Sequence, residues 1–413
     1  MFKRTLKFSC YRKTMNINNH YKKNIIQFLF ALPTIWAFSG LFLYENSDKH
    51  FFILCIIVFF LGLFQLGFNA IVEHIKNRKL TWILLIAVIF SAFTKLTMGG
   101  SSSELRVLGA IALYSMVLHN YVIEKIKSNL IWLIALASVI SVSYISYQTF
   151  ALQIDREYWS INAIPYTTFS AAITSIAIYL AFISSEKKQR IISLVSACLG
   201  LSSIIISQTR GTLLAVTIAA LLLAALMIIK YKKNSIFIVA SIIAISLVSF
   251  LNYEKIEQRI IQTKHEYHAI TSGNLNTSIG YRLQMWQAGW ELAKSPTIFG
   301  LGKNHVEAKQ ELYERGLISK ASIGFKHYHN QYISSLVMKG IAGLMMTLAF
   351  LLMPLFYYFR HNDKSILIAI LCSTVYAVSG LTDIPLMQPH PLAFYLIILL
   401  LFCTPKNHDS NTI

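Results

Sequence analysis

The chain has 413 residues, of which 55% are hydrophobic and 13% charged, against about 45–50% and about 25% in ordinary soluble domains. With a mean hydropathy of +0.55 it lacks the polar surface to coat a soluble globule, so the composition indicates an integral membrane protein. It excludes a disordered chain, a disulfide scaffold and a coiled coil. The net charge of +19, from 37 Lys and Arg against 18 Asp and Glu, would suit a nucleic-acid binder if it formed one basic surface. Here the excess sits in short clusters between apolar runs, so no nucleic-acid partner is expected.

Residues 1–24 read as a basic cytoplasmic tail drawn to anionic lipid, with Lys3, Arg4, Lys7, Arg12, Lys13, Lys22 and Lys23. The first apolar run after it is long enough to span and reads as an anchor rather than a cleaved signal. A spanning helix needs about 20 mostly apolar residues. On that basis the chain is predicted to hold about twelve spans, at 25–44, 51–71, 80–98, 107–123, 130–150, 167–185, 191–208, 211–230, 236–253, 333–359, 365–386 and 390–403.

Every second connection is basic: Lys76/Arg78/Lys79, Lys125/Lys127, Lys187/Lys188/Arg190, Lys230/Lys232/Lys233, Arg360/Lys364 and then Lys406. The opposite short loops hold only Lys49, Arg106, Arg156 and Arg210. The positive-inside rule therefore puts both termini in the cytoplasm. The expected organisation is spans one to nine over 25–253, a polar loop over 254–332, spans ten to twelve over 333–403 and a cytoplasmic tail over 404–413. The five cysteines, Cys10, Cys55, Cys198, Cys372 and Cys403, have neither metal-ligand spacing nor a place in the polar loop. No disulfide and no zinc site follow.

The polar loop falls on the external, periplasmic side. A loop of this length is functional or disordered, and this one is not low-complexity. Leu283, Trp286, Trp290 and Ala293 share one face of an amphipathic helix from Tyr281 to Lys294, a face expected to rest on the membrane. Ser295-Pro296 ends that helix, Gly300-Leu301-Gly302 makes a turn, and His305 to Arg315 is again helical. The loop is thus predicted to be a small helical cap.

Polar residues that apolar surroundings make expensive mark membrane sites. At the external ends of the spans these are Lys95, Arg156, Arg210, Lys339 and Asp383, joined by Arg282, His327 and His329 from the loop. An excess of cations in one leaflet suits a phosphate-bearing lipid. Asp155-Arg156-Glu157 has the spacing of some metal sites, a short pattern that chance also produces. Arg210, in Ser207-Gln208-Thr209-Arg210-Gly211-Thr212, lies at headgroup depth, where its planar fork fits phosphate; a snorkelling Arg fits the same position. Gly211 would permit close backbone approach. Arg282, at the start of the amphipathic helix, opposes the helix dipole, so either the headgroup layer or plain solvation accounts for it.

In His327-Tyr328-His329-Asn330 a histidine before a span can serve as a general base near neutral pH; two surface histidines fit as well. A metal shared with His265 and His268 is a further reading, weakened by the absence of a nearby acid or Cys cluster. Asp383, in Gly380-Leu381-Thr382-Asp383, is expected to pair with one of the cations or to end a helix.

In order and spacing, Gln208-Thr209-Arg210-Gly211-Thr212, Gly280-Tyr281-Arg282 with Trp286, His327-Tyr328-His329-Asn330 and Gly380-Leu381-Thr382-Asp383 resemble the O-antigen ligase family, within the O-antigen ligase/polymerase group. The resemblance covers about residues 150–390. It implies an all-α polytopic fold with a helical periplasmic cap, like the C-type glycosyltransferases. It also implies a bacterial inner-membrane enzyme that moves O-antigen glycan from undecaprenyl diphosphate to lipid A–core, with no metal or other cofactor. By resemblance, Arg210 and Arg282 hold the diphosphate and His329 activates the acceptor hydroxyl. Arg156, His327, Asn330, Lys339 and Asp383 are supporting binding residues. An O-antigen polymerase of the same group is the nearest alternative. A protein-glycosylating oligosaccharyltransferase and a lipid or glycan transporter are more distant ones.

Overall fold

A computed structural model describes residues 24–231, 250, 253–295 and 297–404. The two tails, most of the run at 236–253, Cys10, Pro296, Lys232, Lys233 and Lys406 lie outside the described residues. Among the described residues the chain is helical throughout, with no strand. Eight helices are long and apolar enough to cross a membrane, and up to nine if a bent pair counts as one span.

In chain order the helices are α1 Asn24–Phe42, α2 Ser47–Asn77, α3 Lys79–Met98, α4 Ser102–Val117, α5 Asn120–Ser128 and α6 Leu130–Ser146. There follow α7 Ala163–Ile183, α8 Lys187–Ile206, α9 Arg210–Tyr231, α10 Tyr253–Thr271, α11 Ser278–Ala293 and α12 His305–Glu314. The last three are α13 Gln331–His361, α14 Leu367–Ser379 and α15 Pro389–Phe402. The fourth sequence-predicted span is not straight: α4 and α5 meet at 106°, the break falling at Leu118 and His119, which both have extended backbone. His119 caps α5 by accepting the N–H of Tyr121.

Lipid exposure is written on α2 and α3. Ile53, Ile57, Phe60, Phe64 and Phe68 are exposed at the spacing of one helical face, as are Trp82, Ile86, Ile89 and Phe93. Water would not tolerate such stripes, whereas acyl chains do. α15 differs. It is apolar on every side and almost completely buried, which makes it the inner strut of the bundle rather than a lipid-facing span. α7, buried over 83% of its apolar window, packs on α8, α9, α14 and α15. Its hydroxyls supply interhelical hydrogen bonds: Ser170 to Ser141 at 2.6 Å and Thr167 from Thr212 at 3.2 Å.

Helices α10 to α12 with their connections make up the segment for which a helical cap is expected, and of these α11 packs on α13. α12 matches its predicted bounds, and α11 begins a turn earlier than predicted, capped by the Thr277 hydroxyl on the Gly280 N–H. The cap has a small core of its own, Ala288, Leu312, Ile318 and Tyr328, which is completed by Val337 of α13. Of the face expected to rest on the membrane, Leu283 and Trp290 are exposed, while the buried positions of α11 are Gly280, Gln284, Met285, Ala288 and Gly289.

The cap is stitched into α13. Gly340 breaks that helix at φ 69°, and the segment 297–301 enters the gap. The Leu301 N–H donates to the Val337 carbonyl at 2.8 Å, and the Ile341 and Ala342 N–H groups donate to Thr297 and Ile298 at 3.1 and 3.0 Å. Three backbone groups of α13 beside the break are thereby re-bonded, as a low-polarity setting favours. A Cβ on Gly340 would lie 2.4 Å from the Gly300 nitrogen. We expect Gly340→Val to cost about 3 kcal/mol or more, from positive φ and overlap together. It should appear as a lowered thermal midpoint in detergent and reduced accumulation in the membrane. Gly109→Ala, where a Cβ meets nothing within 4 Å, should leave both unchanged.

Candidate active site

Arg210 opens α9 immediately after a turn in which Gln208 takes φ 56°. Arg156, from the loop before α7, holds that turn by donating to the carbonyls of Ser207 and Gln208 at 3.2 and 3.0 Å. On the other side Gly211 backs onto Thr382, whose Oγ1 would lie 2.3 Å from a Cβ there. The glycine thus brings the Arg210 turn against the loop that carries Asp383. The Arg210 guanidinium donates to Thr263 Oγ1 at 2.9 Å and Glu266 Oε1 at 2.7 Å, both on α10. The second oxygen of Glu266 accepts the Ile279 N–H at the start of α11 at 3.2 Å. One carboxylate therefore ties α9, α10 and α11 together.

His329 sits at φ 44°, a left-handed conformation that is uncommon for a residue with a side chain and costs of order 1 kcal/mol or more. Its neighbours enforce it. The Trp286 indole donates to the His329 carbonyl at 3.3 Å, and the His329 N–H donates to His327 Nδ1 at 3.2 Å. Asn330 then caps α13, its Oδ1 accepting the N–H groups of Tyr332 and Ile333 and its amide donating to Leu381. The result brings His329 Nδ1 to 3.4 Å from Asp383 Oδ1, an ion-pair distance, with no hydrogen bond formed by Nδ1 among the described residues. Asp383 is buried and the imidazole is about a quarter exposed.

The structure brings Arg156, Arg210, Arg282, His327, His329, Asn330 and Asp383 to one end of the bundle. Arg282, in the second turn of α11, donates to the carbonyl and hydroxyl of Ser278, while its Nε is buried without a hydrogen bond among the described residues. Burial pulls the Arg282 pKa down and Arg210 adds to this, against the opposing pull of Asp383 and Glu266. Lys339 lies apart from the arginines, paired with Glu104. Lys95 donates to Ser102. Asp155 and Glu157 are exposed.

Three residues absent from the sequence expectations complete the picture. Arg259, on α10, also has a buried Nε with no partner. Burial and the charges of Arg210 and Arg156 lower its pKa to about 10. Glu266 stands seven residues further on, two turns along the same face. That spacing is the signal the sequence offers for the pair, in a segment where His265 and His268 are the more conspicuous residues. Lys309 of α12 is fully buried, donating to the carbonyls of Ser322, Ile323 and Phe325. It shapes the segment leading to His327. Beside it the Tyr328 hydroxyl meets His305 Nδ1 at 3.1 Å.

Donor atoms of His327, His329 and Asp383 lie within 4.8 Å of one another, the geometry of a metal-binding triplet, and His265 and His268 do not join them. Structural zinc sites take four protein ligands. Here the surroundings are cationic, since Arg282 acts on Asp383 and Lys309 on His327. Catalytic zinc sites take three protein ligands and an open position, so the triplet has the donor set for such an ion as well as for an imidazole beside a carboxylate.

Two cavities reach the cluster from different sides. One of about 500 Å³ runs between α10 and the α8–α9 turn; Arg210, Arg259 and Lys255 lie along it with Ile204, Leu213 and Ile260. The other, about 530 Å³, is bounded by His327, His305, Lys339, Glu104, Lys303 and Lys326.

The family described as O-antigen ligase matches residues 194–348, a span that contains Arg210, Arg259, Glu266, Arg282 and both site histidines. An O-antigen ligase of Escherichia coli is 24% identical over 322 residues, 76% of this chain and 74% of its own length. An uncharacterized protein of Haemophilus influenzae is 24% identical over 256 residues, 59% of this chain. The matched part spans 64% of that relative's length.

The cap is expected to be acid-labile. Burial lowers the His327 pKa to about 4, helped by His329 and Lys309 and opposed by Asp383. Burial lowers His305 likewise to about 4, helped by Lys309 and His327. Unfolded histidines bind protons near pH 6.5, so between about 6.5 and 4 the unfolded state holds more protons than the folded one. Stability is then full above 6.5 and is lost as the pH falls toward 4. Hydrogen exchange over 305–330 should accelerate across that window, and His305→Gln should shrink the change.

Proposed function

We propose that the chain is an O-antigen ligase, a reading supported by the family match over residues 194–348 and the 24% identity to the Escherichia coli ligase, and that it transfers O-antigen glycan from undecaprenyl diphosphate to a sugar hydroxyl of lipid A–core. Transfer takes place at the periplasmic face of the bacterial inner membrane. The observation that carries this reading is His329, 3.4 Å from Asp383, standing beside a cluster of arginines at one end of a membrane bundle.

The donor's polyprenyl chain lies along the apolar cavity that leads to Arg210 and Arg259, with its diphosphate among the guanidinium groups. Asp383 favours the tautomer with the proton on His329 Nδ1, which leaves Nε2 to accept a proton; such contacts tighten when substrate binds. The acceptor hydroxyl reaches His329 from the second cavity. As Nε2 takes its proton, the oxygen attacks the anomeric carbon in line, the carbon–oxygen bond to phosphate breaks and the configuration inverts. Undecaprenyl diphosphate leaves, its developing charge met by Arg210 and Arg282, which act in a partly desolvated site where such contacts are strong. Lys303 and Lys326, exposed beside the second cavity, suit an acceptor that carries phosphate.

We expect Arg210→Ala, Arg282→Ala and His329→Ala each to abolish transfer while the protein still accumulates in the membrane. Arg→Lys should also impair it, because an ammonium lacks the fork. Full activity of His329→Ala would remove the base assignment. Lipopolysaccharide from a host lacking the gene should run as rough core, with long polymer retained on the lipid carrier. Core bearing a single repeat unit would instead identify a polymerase. Lys303→Glu combined with Lys326→Glu should raise the KM for lipid A–core several-fold and leave that for the donor unchanged. An unaltered acceptor KM would exclude this route.

A further inference from the structure

We infer that Glu266 holds the place of a donor phosphate, so that loading the site means exchanging this carboxylate for phosphate. The inference rests on the donor reading given above. Two donors converge on Glu266: the Arg210 guanidinium at 2.7 Å on one oxygen and the Ile279 N–H at 3.2 Å on the other. A phosphate presents two oxygens across a similar span and is met in the same way by an Arg fork and a first-turn helix N–H. The hydroxyl of Thr263, already 2.9 Å from Arg210, lines the same position.

Charge points the same way. Arg156, Arg210, Arg259 and Arg282 act on one another electrostatically, and Glu266 is a compensating carboxylate for Arg156, Arg259 and Arg282 as well as the partner of Arg210. In the resting protein this anion keeps the cluster from flying apart. Once a diphosphate enters, the same carboxylate becomes a like charge beside it and a competitor for Arg210. Its release removes the carboxylate link from α10 to α11 and one of the two contacts from α10 to Arg210, leaving Thr263 as the other, so donor binding loosens α10 while Arg210 and Ile279 keep an anionic partner. The phosphate position is then defined by Arg210, Thr263 and the Ile279 N–H, with Glu266 setting the threshold for filling it.

The test uses the full-length protein in nanodiscs, with undecaprenyl diphosphate as the probe. E266Q removes the competing charge and should bind the probe about tenfold more tightly than the native chain, about 1.4 kcal/mol. In a second arm, the probe should raise amide exchange in 260–271 of the native protein several-fold, whereas undecaprenol, which lacks phosphate, should not. This arm needs no variant and decides the matter even where E266Q fails to fold. Binding by a folded E266Q that is equal or weaker, or exchange in 260–271 that falls or stays constant when the probe binds, overturns the placeholder and leaves the donor reading intact. Absence of probe binding to the native protein overturns both.

Discussion

Mutual repulsion among guanidinium groups is the constraint around which this end of the molecule is built. Arg156, Arg210, Arg259 and Arg282 interact with one another in a partly desolvated setting, where like charges are screened less than in water. Their positions are maintained by local anchors. Arg156 spends its charge on two carbonyls, Arg282 on Ser278, and Arg210 on α10. The positive potential that survives is directed at the space between α9, α10 and α11. An anion is the natural occupant of such a field, and a cavity with apolar walls leads to it.

Such a site needs a stiff foundation, and the bundle interior supplies one. α7 and α15 are buried along nearly their whole length, so the loops at their ends inherit the rigidity of a packed interior. The Gln331 N–H is bonded to the Gly380 carbonyl at 2.7 Å, which binds the histidine segment to the loop of Asp383. Gly211 lets that same loop touch the Arg210 turn. The left-handed conformations at Gln208 and His329 are sustained by these contacts, and both border the site.

Much of this was legible in the sequence because hydropathy and charge alternation are one-dimensional signals. The helices lie close to the apolar runs, and the residues of the four short motifs converge on one place. What was hidden depended on three-dimensional context. A run such as 390–403 looks the same whether lipid or protein surrounds it. The sharp bend between Val117 and Asn120 carries neither Gly nor Pro to announce it. Lys339 was expected with the phosphate-binding cations because of its depth, but depth does not reveal a partner such as Glu104, 235 residues away in sequence. Arg259 and Glu266 sat in a charged segment whose helical face became meaningful only once α10 was laid against Arg210. Lys309 gave no signal at all, since an isolated Lys in a polar helix reads as solvated.

The segment threaded through the break at Gly340 also decides how the molecule comes apart. Because three backbone hydrogen bonds of α13 are made with 297–301 rather than within the helix, that helix is not a self-sufficient membrane element, and the cap is not a detachable one. The two form a single cooperative unit. Local opening of the cap exposes unbonded amides inside α13, so that opening costs more than the opening of a loop bonded only to itself. A surface feature of the protein thereby acquires the persistence of its interior.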